Sequence, residues 1–469
     1  MTKADRSAMF VPLPEVNFDR YDILIAGSGL AAVSVARRAQ SRGKRVLMIE
    51  AGRADYDATV QAALADIRGR GHYDGQHWPL HWARALGGTS LLWQGWVAPL
   101  LERNLAGWPI SRAELEPYLE MAATDLGRPP EILTWAAPFL DGFEHRPISL
   151  GTPLNLTFDT PEIYAQVDGI DTVLEGAVAR LNPREDRRGL TSLSVATLEG
   201  AARDVPLRTG QSVVLAAGGM GNAQILLSSE DGTGAAVGNE HDQVGRYLME
   251  HPHLYNCGRV VLPPELRVPA APESFGEHAV ALSPDDTLHA ALGGLDLSIE
   301  LLPARPDDED LTEGYVLSRI GEGAQVFDLT VRSEMAPDPA NRVTVTDGRD
   351  PVGLRRLRTS CIVGGDAFRA VDHALEALGR AIAAAGPGRL RIVNGAIYRG
   401  LAGGGHTMGT TRMGTDPVTS VVDADCRVHG YENLFVAGSS VFATGGYANP
   451  TLNLMALAHR LGDHLGGAA

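Results

Sequence analysis

Cysteine is scarce in this chain. Only Cys257, Cys361 and Cys426 occur among 469 residues, and no two stand in a CxxC pair. That spacing argues against a disulfide framework or a zinc ribbon, and makes buried thiols in a reducing cytoplasm the expected setting. Basic residues are also in deficit. The 41 Lys and Arg face 57 Asp and Glu, a formal charge of −16, which disfavours nucleic acid and anionic membrane surfaces as partners. No apolar run reaches the length of a membrane span. The opening MTKADRSAMFVPLPEVNFDRYD lacks the apolar core of a signal peptide, so a cytoplasmic location is expected. There is no internal repeat. What is present is a globular composition, 44% hydrophobic and 21% charged, long enough for about two to three domain-sized units.

The first ordered segment is YDILIAGSGLAAVSVARRAQSRGKRVLMIEAGR. An apolar strand over Tyr21–Ala26 meets a glycine turn, and a helix follows whose apolar face carries Ala32, Val35, Ala36 and Ala39. A second strand runs over Arg45–Ile49, which makes a βαβ unit and implies a parallel sheet. In GSGLAA, Gly27 and Gly29 fill the first two positions of GxGxxG, Ser28 lies between them, and Ala32 takes the third. The first glycine permits the turn, and the second lets a pyrophosphate approach the backbone and the helix N-terminus. Glu50, followed by Ala51, ends the next strand, where a carboxylate can accept a ribose hydroxyl. An acid there disfavours a 2′-phosphate but does not separate NAD from FAD.

Further along, a helical pattern runs from about Ala58 to Gly71, and Ser111 with Glu114 forms a capping box for another helix. DTVLEGAVARLN and LTSLSVATLEG resemble paired strands, and SVVLAAGGMGNAQILLSS is a buried strand, glycine turn and helix. Residues 256–399 are richer in proline and acid, including the loop RPDDED, and contain one Ala-rich helix. This reads as a separate substrate-binding domain within an FAD- or NAD-binding remainder, 1–255 and 400–469, with parts of 60–160 covering the entrance. The pair His251 and His253 in MEHPHL has no cluster spaced to complete a metal site, so no metal is expected.

Three segments settle the cofactor by resemblance: ALGGTSLLWQG, SVVLAAGGMGNAQILL, and the C-terminal run from HTMGTTRMG through RVHG and NLFVAG to GGYANPTLNL. Together they resemble the glucose–methanol–choline (GMC) family of FAD-dependent oxidoreductases, in its pyranose-oxidase-like or C-glycoside-oxidase-like branch. The likeness covers roughly half to two-thirds of the chain and weakens over 256–400. It implies an α/β fold: a Rossmann-type FAD-binding domain of the p-hydroxybenzoate-hydroxylase-like kind, and an α+β substrate domain on a mainly antiparallel sheet. It implies His406 and Asn449 as the catalytic pair. Gly87, Gly88, Thr89, Ser90 and Trp93 would lie by the flavin, with Gly438, Ser439, Pro450 and Thr451. Val178, Ala217 and Gly218 would lie toward the adenosine half. Some pyranose oxidases bind FAD through a histidine in the glycine turn; Leu92 holds the matching position here, so non-covalent FAD is expected.

Alcohol oxidation removes a hydroxyl proton and a hydride from one carbon. A histidine can be unprotonated near neutrality and still accept the proton, while an asparagine can only orient the hydroxyl. Pro450 biases Asn449 to extended backbone, and Thr451 is expected to cap a helix carrying Leu454, Ala458, Leu461 and Leu465 on its apolar face. The resulting expectation is an oxidoreductase on CH–OH donors, oxidising a secondary hydroxyl of a sugar, glycoside or polyol. Oxygen or another acceptor would take the electrons. A small or primary alcohol, an aminoglycoside, or a redox-neutral lyase reaction on the same fold are the alternatives.

Overall fold

A computed structural model of the chain describes residues 10–150, 169–230, 233–307, 309–393 and 401–467. The first nine residues of the N-terminal stretch, and Asp308 of the acidic run, lie outside these.

Apolar strands such as ILIA and VLMI have no polar face to give to solvent, so they belong in a sheet covered on both sides. They form the centre of a five-stranded sheet in the order Leu434–Val436, Ser212–Leu215, Ile23–Ala26, Val46–Ile49, Ile170–Val173. Every neighbouring pair is parallel. The helix Leu30–Gln40 follows the first strand and packs against the C-terminal helix Pro450–Gly466. Glycine allows the close approach, since a Cβ on Gly462 would lie 2.7 Å from the Arg38 Cβ. Arg38 and Arg42 both pair with Asp463 across this contact, at 2.7 and 2.8 Å.

The second large sheet is antiparallel and eight-stranded among the described residues. Its centre is formed by Pro252–Leu262, Gln325–Ser333 and Leu297–Pro303. Two strands from earlier in the chain, Ala137–Leu140 and Phe143–His145, extend it at one side. The helix Gly365–Ala385 lies on it, burying Ala367, Ala370, Val371, Ala374, Leu375, Leu378 and Ile382, the i, i+3, i+4 stripe of an amphipathic helix.

Several local expectations hold. The capping box at Ser111 and Glu114 opens the helix Arg112–Asp125. Gly176–Pro183, which carries Val178, pairs antiparallel with Leu190–Thr197. One does not. The helix from Ala58 ends at Leu64, and Ile67–Gly71 is a strand lying parallel to Arg355–Cys361. Its sequence IRGRG has two glycines, which weaken a helix. At Gly71 (φ +108°) a Cβ would meet the Cys361 carbonyl oxygen at 2.0 Å, so only glycine permits the pairing.

Candidate active site

A cavity of about 410 Å³ lies at the C-terminal ends of the parallel strands and reaches the antiparallel sheet. At one end is the first glycine turn. Gly27 has φ +109°, and a Cβ there would sit 2.5 Å from the Ala216 carbonyl oxygen of the adjacent strand's turn. Gly29 is the N-cap of its helix and provides no side-chain cap, so the first N–H groups keep their donors for something else. Glu50 is buried; its carboxylate accepts from Ser28 Oγ at 2.7 Å and Gly52 N at 2.8 Å. Burial pushes its pKa up, while Arg84, Ser28 and Gly52 oppose the rise.

The other end is built by strand register. His253 stands opposite Arg332 on one side and Ala402 on the other. Three strands distant in sequence thus bring Arg332, His253 and the run Gly403–Gly404–Gly405–His406 together. The glycines are required by histidines around them. A Cβ on Gly403 would meet His77 at 2.5 Å, one on Gly404 would meet His406 Nδ1 at 2.5 Å, and one on Gly405 would meet His81 Nδ1 at 2.7 Å. Glu250, fully buried, gathers the loop. It accepts the backbone N–H groups of His251 (2.8 Å), Gly405 (3.0 Å) and His406 (2.8 Å), and pairs with His77 Nε2 at 2.8 Å.

His406 and Asn449 meet here, with His406 Nε2 3.2 Å from Asn449 Nδ2. On the far side of Asn449, Arg332 Nη1 lies 3.0 Å from Oδ1. Arg332 is itself ion-paired with buried Glu300. On the far side of His406, its Nδ1 is 2.9 Å from His251 Nδ1, and His251 Nε2 is 3.3 Å from the Gly445 carbonyl oxygen. The protons along this row follow from its two ends. A guanidinium can only donate, so the Asn449 oxygen faces Arg332 and the amide N–H faces His406. A carbonyl can only accept, so His251 carries its proton on Nε2 and offers a bare Nδ1. Both ends require the same tautomer of His406, protonated at Nδ1 and with a lone pair on Nε2.

Burial holds His406 well below the ordinary imidazole pKa, and the positive charges that His251, His253 and Arg332 carry or acquire push the same way. His251 is lowered to about 4, mainly by burial, with Glu250 opposing. His253 is also held well below its usual value, chiefly by burial and then by Arg332. His251, His253 and His406 are therefore neutral near pH 7.

Most residues named from sequence line the cavity: Gly27, Ser28, Gly29, Glu50, Ala51, Gly88, Thr89, Ser90, Trp93, Val178, Ala217, Gly218, His406, Gly438, Ser439, Asn449, Pro450 and Thr451. Ala32 and Gly87 do not. Ala32 is wholly buried inside its helix, and Gly87 stands behind Gly88 as the left-handed residue (φ +89°) of the turn. The expected cap at Thr451 is also corrected. The C-terminal helix starts at Pro450, so Asn449 takes the N-cap position and Thr451 lies within the first turn. The Asn449 side chain makes no cap because Arg332 and His406 hold both ends of its amide. Of the helix's expected apolar face, Ala458 and Leu461 are buried, while Leu454 is half-buried and lines the cavity. Sequence reasoning missed Arg332, Glu250, His81, Arg84 and the role of His251. The only sequence signal for any of them was the histidine pair flanking Pro252.

Residues 337–458 match the family model described as GMC oxidoreductase. Paromamine 6'-oxidase of Streptomyces fradiae is 25% identical over 95% of this chain and 91% of its own length. The fructose dehydrogenase large subunit of Gluconobacter japonicus is 25% identical over 62% of this chain, and this chain spans only 53% of that protein. Among solved structures, pyridoxine 4-oxidase from Mesorbium loti superposes with a TM-score of 0.61 at 18% identity, covering 95% of this chain and 99% of that one. The last likeness shows the fold alone. These matches make the chain similar to GMC oxidoreductases, with the family's C-terminal model matched over 337–458.

Proposed function

We propose that the chain is an FAD-dependent oxidoreductase that converts a secondary hydroxyl of a sugar, glycoside or sugar-like polyol to a ketone. The observation that carries this reading is the His406–Asn449 pair, a lone pair on Nε2 beside an amide N–H at 3.2 Å, on the wall of the glycine-lined cavity.

The residues present fit FAD. Uncapped N–H groups of the helix Leu30–Gln40 suit a pyrophosphate. Glu50 suits a ribose, and side-chain-free backbone at Gly29, Gly88 and Gly438 suits close contact with a flat ring. Residues 1–255 and 400–469 would form the FAD-binding unit. Residues 256–399 would form the substrate unit, with Ala137–His145 lending it two strands. Leu92, half-exposed at the cavity edge, cannot make the histidyl bond to flavin, so FAD would be held without a covalent link. Bound FAD supplies a two-electron acceptor for the hydride.

The chain's own residues then divide the remaining work. Asn449 orients the substrate hydroxyl, with Arg332 fixing which end of the amide is presented. His406 takes the hydroxyl proton on Nε2. His81, Trp93 and Trp96 also line the cavity and offer polar and aromatic surface for a sugar. A primary hydroxyl of an aminoglycoside is the second reading, favoured by the paromamine 6'-oxidase alignment along nearly the whole chain. Anaerobic mixing of the flavoprotein with monosaccharides, glycosides, cyclitols and aminoglycosides tests both. Bleaching of the flavin band by a sugar or glycoside is expected; bleaching by aminoglycosides alone selects the second reading, and bleaching by none removes both.

A further inference from the structure

Among the described residues, His251 is the side chain that hydrogen-bonds the proposed base from behind. It contacts no cavity surface, yet its Nδ1 lies 2.9 Å from His406 Nδ1, and its other nitrogen is committed to the Gly445 carbonyl. The charged neighbours are placed asymmetrically. On the cavity side of His406, beyond Asn449, stands the Arg332 guanidinium. On the other side stands the Glu250 carboxylate, which accepts the backbone N–H groups of both His251 and His406 at 2.8 Å.

We propose that His406 and His251 act as a two-imidazole base, in which the proton taken at His406 Nε2 is matched by transfer of the His406 Nδ1 proton to His251 Nδ1. This rests on the reading of His406 as base. The substrate O–H bond breaks and an N–H bond forms at His406 Nε2. The His406 Nδ1–H bond breaks and an N–H bond forms at His251 Nδ1. Bound FAD would accept the hydride from the same carbon as the C=O bond forms. His406 ends neutral with its tautomer exchanged, and the positive charge rests on His251.

The field around the pair favours that outcome. A cation on His406 faces Arg332, with His253 and His81 also nearby, while a cation on His251 faces Glu250 and donates to the Gly445 carbonyl. Burial holds both imidazoles below the ordinary value and Arg332 opposes a cation on either, but Glu250 acts in favour of one on His251. His251 touches neither substrate nor cofactor, so its role is that of a positioning residue that also stores the proton.

The test has two arms. In the unmodified holoenzyme labelled with 15N-histidine, His251 is expected protonated at Nε2 and bare at Nδ1, and His406 the reverse. The opposite tautomers would overturn the proposal without any variant. In His251→Asn, the amide oxygen still accepts the His406 Nδ1–H but cannot hold a proton. Anaerobic flavin reduction by substrate is expected to slow at least about a hundredfold, with flavin content and half-saturating substrate concentration unchanged. A loss under about fivefold means that His251 is only a hydrogen-bond partner, and the relay is wrong. His406→Ala separates the levels. If it too reduces flavin at the unmodified rate, the base reading itself fails; if it is slow while His251→Asn is fast, only the relay fails.

Discussion

Replacing Asn449 by aspartate changes two atoms' chemistry and almost no volume, so it tests the proton order of the row directly. In the native arrangement Asn449 Nδ2 donates to His406 Nε2 at 3.2 Å while Oδ1 accepts from Arg332 at 3.0 Å. An aspartate keeps the second contact and reverses the first. Its inner oxygen can only accept, so Nε2 must carry a proton to face it. Two unit charges about 4 Å apart attract by about 4 kcal/mol at an effective dielectric near 20, about a thousandfold in proton affinity. Arg332 cancels part of this by engaging the other oxygen. The sign is still fixed. His406, now neutral because burial holds its pKa well down, shifts toward the imidazolium, and the lone pair on Nε2 is lost. Stopped-flow flavin reduction at saturating substrate should fall about 10²- to 10⁴-fold at pH 7, the usual worth of a general base. Activity should return as pH rises through the new His406 pKa. Asn449→Ala is the control, since it leaves Nε2 bare and should slow reduction without moving the pH profile upward. An Asn449→Asp enzyme with the native rate and native pH profile would refute the tautomer assignment.

Other consequences can be checked more simply. In Gly27→Ala the new Cβ meets the Ala216 oxygen at 2.5 Å on a residue at φ +109°, so the turn must shift; the purified variant is expected to show a much lower flavin-to-protein absorbance ratio, and a native ratio would count against this turn as the cofactor cradle. Acid precipitation of the holoenzyme should release all yellow colour to the supernatant, because Leu92 offers no atom for a covalent link. Asp463→Asn should destabilise the chain by about 1–2 kcal/mol in urea at neutral pH through its weakened contacts with Arg38 and Arg42. Those arginines hold the Asp463 pKa below its ordinary value of 3.8, so the contribution is full above that value. It is lost as pH falls through the lower folded pKa, and the gap between variant and parent should close there.

The parts of the site legible in the sequence are those whose chemistry is local. GSGLAA announces a turn because Gly27 must adopt positive φ and Gly29 must leave room, both properties of single residues. Ser111 and Glu114 announce a helix start because the two partners are three residues apart. Arg332 gave no such signal. It is buried within the strand segment LTVRS, and only the pairing of that strand with Pro252–Leu262 sets it beside His253 and Asn449. Residues 117 positions apart, as Arg332 and Asn449 are, share no sequence pattern. His251 and His253 stand two apart, a spacing that would put them on one face of a regular strand. Here His251 lies in the loop just before the strand, where Glu250 takes its N–H. The Thr451 cap expectation failed for a related reason. A capping preference is a weak local energy, about 1 kcal/mol, and here Pro450, whose fixed φ suits the first helical position, opens the helix one residue before Thr451.

This division explains why the loop Gly445–Asn449 is so restricted in composition. One short segment supplies both ends of the histidine row: the Gly445 carbonyl receives the His251 proton side, and the Asn449 amide meets Nε2 of His406. Between them Gly446 takes φ +57°, where a Cβ would strike Leu100 at 2.8 Å, and its N–H goes to buried Glu334 at 2.9 Å. A shift of this loop therefore moves both anchors at once. If it moved as a body, His251 and Asn449 would lose their partners together, and His406 would be free to take either tautomer. The glycines let the chain pass between Leu100 and His251, Glu334 pins its middle, and Pro450 starts the helix that fixes its end. The orientation of one imidazole proton is thus set by the path of a five-residue loop packed on two sheets, every residue of which is buried.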